Sequence, residues 1–244
     1  MRALVLLAAV AVLGAADAPR TYLDGQPQPD LLRILPPPPQ SGSPLDQADA
    51  AVFRDTRTLQ GTPKWQVATA DVTGGRFATF ACAMGMTLDE RQAPALARVF
   101  ARMGGGPMVD RVKRHYAKRR PYLTQDLPIC EPKTAHLAGN GDYPSGHTTN
   151  GWATALVLAE LLPDRATEIL ERGRMTGESR FVCGSHSVSA VQAGFMAGST
   201  LVAALHGSSE FRRDMDAARV ELAGLRGRAR PAEPARCAVE QAAR

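Results

Sequence analysis

The sequence predicts an all-α fold, and three observations carry that expectation. Apolar residues recur at helical spacing in one segment after another, and no alternation of period two persists. Alanine is plentiful while aromatic residues make up only 5%, a balance that suits closely packed helices better than a β-sandwich. Prolines and glycines fall mainly between the periodic segments, where they end or begin helices.

The 244 residues suffice for one good-sized domain or two small ones, and 44% hydrophobic with 22% charged residues is ordinary for a chain that buries a core. The first segment, MRALVLLAAVAVLGAADAP, has a positive start at Arg2, an apolar stretch and the small-x-small triplet Ala16-Asp17-Ala18. It reads as a signal peptide over residues 1–18, too short to span a bilayer. No other stretch reads as a membrane span, so the mature chain is expected to be exported, periplasmic or secreted.

Residues 19–45 contain ILPPPPQSGSP, which cannot be helix interior and is expected to form an extended arm. The helical domain is expected over residues 46–226. Helical patterning starts near Asp46 with LDQADAAVFRDTRTL and resumes in GRFATFACAMGM. A third helix, TLDERQAPALARVFARM, is expected to open at Thr87 as N-cap with Glu90 three residues on. Glycines 104–106 break the chain, Pro107 can begin the next helix, and PMVDRVKRHYAKRR is expected to continue until Pro121. Pro121 to Tyr143 reads as loop. Helices follow in SGHTTNGWATALVLAELL, PDRATEILERGRMTGESR, SHSVSAVQAGFMAGSTLVAALHG and SSEFRRDMDAARVELAGL. Residues 227–244, rich in Arg, Ala and Pro, are expected to be a loose tail.

Cys82, Cys130, Cys183 and Cys237 allow three pairings in an oxidising compartment, and none of their spacings suits zinc. Cys82, inside TFACAMGM, reads equally as a core thiol. The formal net charge of +5 fits an anionic partner, but the basic run lacks the interleaved aromatics that argue for nucleic acid.

Three polar islands remain. In KRHYAKRRP, Lys113 and Arg120 lie seven apart, on one face of a regular helix; alone, this is an ordinary solvated basic face. In YPSGHTTNG, Ser145 can cap a helix whose free N–H groups form an anion site. Gly146 would let an anion approach the backbone, and His147 sits on the first turn. In ESRFVCGSHSVSA, Arg180 and His186 flank a Cys-Gly bend.

In this order the islands resemble the phosphatidic acid phosphatase type 2 (PAP2) superfamily, which includes the vanadium haloperoxidases. LLRILPPPPQSGS, YPSGHTTNGWATALVLAE and GESRFVCGSH are more closely similar to the class A bacterial non-specific acid phosphatases. The resemblance covers nearly all of the mature chain. It implies a compact helical bundle and metal-independent hydrolysis of small phosphate monoesters, with phosphate or vanadate able to occupy the site and no cofactor. It implies that His186 is the nucleophile, forming a phosphohistidine, and that His147 protonates the leaving group. Lys113, Arg120, Ser145, Gly146 and Arg180 would cradle the phosphoryl group. A homo-oligomer stays open.

The chain departs from the family at one point. The family places an Asp four residues after the nucleophilic histidine; here that position is Ala190. Ser189, or a backbone carbonyl, is expected to orient the His186 ring instead, less well than a carboxylate would. On that reading Ala190→Asp raises turnover, unless a substitute orienter is already present. Two alternatives follow: a catalytically weak phosphate- or phosphoester-binding homologue, and a vanadate-dependent haloperoxidase. A serine hydrolase at Ser145 lacks the glycine-flanked elbow.

Overall fold

The computed structural model describes residues 20–244; the expected signal peptide at residues 1–18 lies outside the described residues. Helices dominate, as the periodicity predicts. The extended arm is held against the core. Tyr22, Leu23, Leu31 and Leu35 are buried in the core, Tyr22 meets Phe211 edge-on at 5.3 Å, and its hydroxyl donates to Asp214 at 2.6 Å. One helical turn, α1 (Leu31–Ile34), interrupts the extended path.

Helix α2 (Pro44–Asp55) is capped by Ser43, and α3 (Pro63–Thr73) by Thr62, each followed by a proline that suits the first helical turn. Helix α4 (Arg76–Met84) ends at Gly85 in the left-handed region. The expected start of the next helix at Thr87 is not observed. Met86–Thr87 (β1) pairs with Arg230–Pro231 (β2), and α5 (Pro94–Arg102) begins at Pro94. The reason is tertiary: Glu221 accepts from the Ala95 and Leu96 N–H groups at 2.9 and 3.0 Å, capping α5 from another helix.

Helix α6 spans Gly106–Tyr116, the short α7 Ala135–Gly139, and α8 Gly146–Leu161. Helices α9 (Ala166–Cys183), α10 (Val188–Leu205) and α11 (Ser209–Leu225) complete the expected set. Helix α8 packs on both α9 and α10 at the centre, while α11 packs on α5 and α3 on α9. By length and mean hydropathy of 1.5, α10 could cross a membrane. Its small residues explain its place in this centre instead. A Cβ at Gly194 would lie 2.7 Å from the Thr148 Cβ and 2.9 Å from the Ser145 carbonyl oxygen, so glycine lets α10 touch the first turn of α8.

The C-terminal segment corrects a further expectation. It is not loose: α12 (Pro234–Ala242) packs on α3, and Cys237 is bonded to Cys82. Cys130 pairs with Cys183. Glu240 on α12 reaches Arg172 on α9 at 3.3 Å, and Arg172 also pairs with Asp71 on α3 at 2.5 Å, all three buried. Breaking a buried pair from one side strands the other charges, at about 3–5 kcal/mol. Arg172→Ala is therefore expected to lower the melting temperature by on the order of 10 °C while leaving kcat within about threefold. Differential scanning calorimetry beside a steady-state assay checks both.

Candidate active site

Lys113 and Arg120 reach the same place by a route other than the expected one. Helix α6 stops at Tyr116 because Ala117 adopts a left-handed conformation, φ 43°, and Arg120, preceding Pro121, is extended. The two cations thus come from a helix and a following loop, not from two turns of one helix. The Lys113 ammonium donates to the Gly141 carbonyl; burial, then the neighbouring Arg120, lowers its pKa to about 8. Arg120 donates through Nε to the Asn140 carbonyl and through Nη1 to the Ser185 carbonyl, both at 2.7 Å. Nη1 also lies 3.1 Å from Nε2 of His186.

Ser145 caps α8 as expected: its Oγ accepts from the Thr148 N–H at 3.3 Å and from the Thr148 hydroxyl at 2.8 Å. Its own N–H donates to the Ala190 carbonyl at 2.9 Å, fastening α8 to α10. Ser145 is fully buried and does not line the cavity described below, which corrects its expected place in the phosphate cradle. Gly146 and His147 do line it, at the first two helical positions, where N–H groups have no intrahelical acceptor.

Helix α9 delivers Arg180 one turn before its end, and Gly184, at φ 88°, reverses the chain toward His186. Arg180 is buried; Nη2 pairs with the Glu131 carboxylate, whereas Nε and Nη1 have no hydrogen-bond partner. Glu131 also accepts from the Ser185 hydroxyl. Burial alone would raise the Glu131 pKa, but the charge of Arg180 and these hydrogen bonds bring it below the ordinary value.

The His186 ring is oriented by a residue the sequence reading missed. Nδ1 lies 2.7 Å from the Asp142 carbonyl oxygen and 3.0 Å from Asp142 Oδ1. The expected backbone-carbonyl orienter is therefore present, joined by a carboxylate. Ser189, the other expected orienter, is engaged elsewhere: its hydroxyl donates to Asp49 at 2.5 Å and lies 3.1 Å from Ser187 Oγ. The hydrogen bonds of Nδ1 go to Asp142 and not to Ser189, which corrects that assignment. The absence of Asp at position 190 signalled that a carboxylate could come from elsewhere. Nothing local singled out Asp142.

Lys113, Arg120, Gly146, His147, Arg180 and His186 line one cavity of ≈ 430 Å³, joined by Glu131. Burial first, then the charges of Arg120, Lys113 and Arg180, keeps His186 well below the ordinary histidine pKa, and so neutral. His147 is open to solvent on one side; desolvation on its protein side and the charge of Arg180 also lower it. A neutral imidazole among three cations, with Nε and Nη1 of Arg180 unpartnered, has the charge and donors that suit a tetrahedral oxyanion.

Residues 95–214 match the PAP2 superfamily. The chain is 46% identical over 221 residues to an acid phosphatase of Zymomonas mobilis subsp. mobilis, covering 88% of this chain and 84% of that protein. The chain belongs to the PAP2 superfamily. A non-specific acid phosphatase of Providencia stuartii is 37% identical, over 84% of this chain and 86% of its own length. One of Salmonella typhimurium is 33% identical, over 77% and 78%. The PAP2 assignment accounts for the all-α architecture. Among the described residues, no three His, Cys, Asp or Glu side chains gather as a metal site.

Proposed function

We propose that this PAP2-superfamily phosphatase is exported and hydrolyses small phosphate monoesters through a phosphohistidine on His186. The observation that carries the reading is the buried Arg180, whose Nε and Nη1 lack partners and which lines one cavity with His186 and Arg120. The two disulfides support an oxidising compartment.

Asp142 accepts a hydrogen bond from Nδ1–H of His186, which makes Nε2 the unprotonated nitrogen, facing Arg120 Nη1 at 3.1 Å until substrate takes that donor. Nε2 attacks phosphorus, and the bond from phosphorus to the ester oxygen breaks. His147 gives its proton to the departing oxygen. Arg120, Arg180 and Lys113 hold the equatorial oxygens as charge spreads over them. His147, now neutral, takes a proton from water, whose oxygen attacks phosphorus. The P–N bond breaks, and phosphate and neutral His186 are restored.

Purified protein should release p-nitrophenol from p-nitrophenyl phosphate in excess EDTA and, on rapid alkaline quench, carry an acid-labile, base-stable phosphate. Turnover without any such species in the quench would overturn the mechanism; no turnover at all would leave a phosphate-binding homologue.

The lowered His147 pKa fixes the sign of the pH response. The acid form must be charged for the first step, so kcat/KM is lost as pH rises through the lowered value of the free site. A bound phosphate adds negative charge beside the ring and raises its pKa. The alkaline limb of kcat is therefore expected at higher pH than that of kcat/KM. Coincident limbs in paired profiles would contradict His147 as the acid.

A further inference from the structure

Ala190 is fully buried in the first turn of α10, where the family places the carboxylate that serves the nucleophile. We infer that Asp142 is the positioning residue of His186, this carboxylate having moved from α10 to the loop ahead of α8. The inference rests on the phosphohistidine reading.

The geometry shows why either position serves. Ser187 is the N-cap of α10, which makes Ala190 the third helical residue. In a capping box the side chain at that position reaches back to the N-cap N–H. Here the Ser187 N–H donates to Asp142 Oδ1 at 3.1 Å, and the Ser187 hydroxyl donates to Oδ2 at 2.6 Å. The same Oδ1 lies 3.0 Å from Nδ1 of His186. A carboxylate arriving from residue 142 thus occupies the donors that one at residue 190 would reach. Its site is fully buried, which raises its pKa to about 6, while the Ser187 hydrogen bonds and then the charges of Arg120 and Lys113 pull toward the ionised form.

The role follows from these contacts. Asp142 holds His186 as the Nδ1–H tautomer, turns Nε2 toward Arg120 and the cavity, and supports the positive ring that forms once phosphorus is bound. Losing an equivalent carboxylate in a serine-protease triad costs roughly 10⁴ in rate, and partners that orient a metal-bound histidine are worth about 10–100-fold.

Four proteins assayed side by side decide it: wild type, His186→Ala, Asp142→Ser, and Asp142→Ser with Ala190→Asp. Asp142→Ser is expected to lower kcat by about 10²–10⁴-fold with KM within about threefold. The double variant is expected to recover at least about tenfold of that loss. If wild type is inactive, or His186→Ala matches it, the phosphohistidine reading fails. If His186→Ala is dead while Asp142→Ser keeps wild-type kcat, the reading stands and the positioning role falls. A folded double variant no faster than Asp142→Ser overturns the relocation. Should Asp142→Ser not fold, Asp142→Asn keeps the shape and removes the charge, and wild-type kcat in it overturns the role. Ala190→Asp alone, reversing the expectation from sequence, should slow the enzyme, because two buried carboxylates would contest one set of donors. A gain in kcat would mean that Asp142 does not serve the ring.

Discussion

His186→Ala is expected to lower kcat by about 10⁴-fold or more while phosphate still binds. Removing the nucleophile of a comparable two-step hydrolase costs on the order of 10⁶. The cradle does not depend on the ring: Arg120 keeps the Asn140 and Ser185 carbonyls, Lys113 keeps Gly141, and Arg180 keeps Glu131. Asp142 keeps both donors of Ser187. Inorganic phosphate should therefore bind within about tenfold of wild type, since the three cations facing it are unchanged. Calorimetric titration beside the kinetic assay separates the two effects. A variant retaining a tenth of wild-type kcat would remove His186 from the chemistry.

Arg180→Ala is expected to damage both function and stability. It takes away the two guanidinium N–H groups left without partners, and a lost transition-state donor of this kind costs roughly 10²–10³ in kcat. It also leaves Glu131 mostly buried without its cation. One-sided loss of such a pair costs about 3–5 kcal/mol. The two effects come apart in a second variant. Glu131→Gln in the Arg180→Ala background should restore much of the stability, because the stranded charge is gone, and none of the turnover. Urea unfolding and kcat measured on the same samples check this. Recovery of turnover along with stability would show that Arg180 acts only as scaffold. Arg180→Lys retains charge but not the planar fork, so it should fall between alanine and wild type in kcat.

Much of this molecule could be read residue by residue. Ser145, Ser187 and Ser208 cap α8, α10 and α11 near where the sequence reading begins those helices. Gly184 ends α9 at the expected bend. The errors share a cause. Thr87 has the right neighbours for a cap, yet Glu221, far along the chain, caps α5 instead at Pro94. The basic run looks like one helix through Arg120, but Ala117 and the residue before Pro121 turn it aside. The tail has a loose composition, and its disulfide to Cys82 and the Glu240–Arg172 pair hold it in place.

The sequence alone determined the helical class, most helix starts and the three polar islands, because periodicity and capping are interactions among residues a few positions apart. Through its resemblance to a known pattern it also named His147, His186, Lys113, Arg120 and Arg180, which the fold brings to one cavity. The cysteine pairing, the withdrawal of Ser145 from the cavity and the placing of Asp142 against His186 were decided only in three dimensions. Each depends on groups from different segments sharing one desolvated volume, where a charge or donor must find its partner at close range. Spacing along the chain carries no record of which distant residue will supply it.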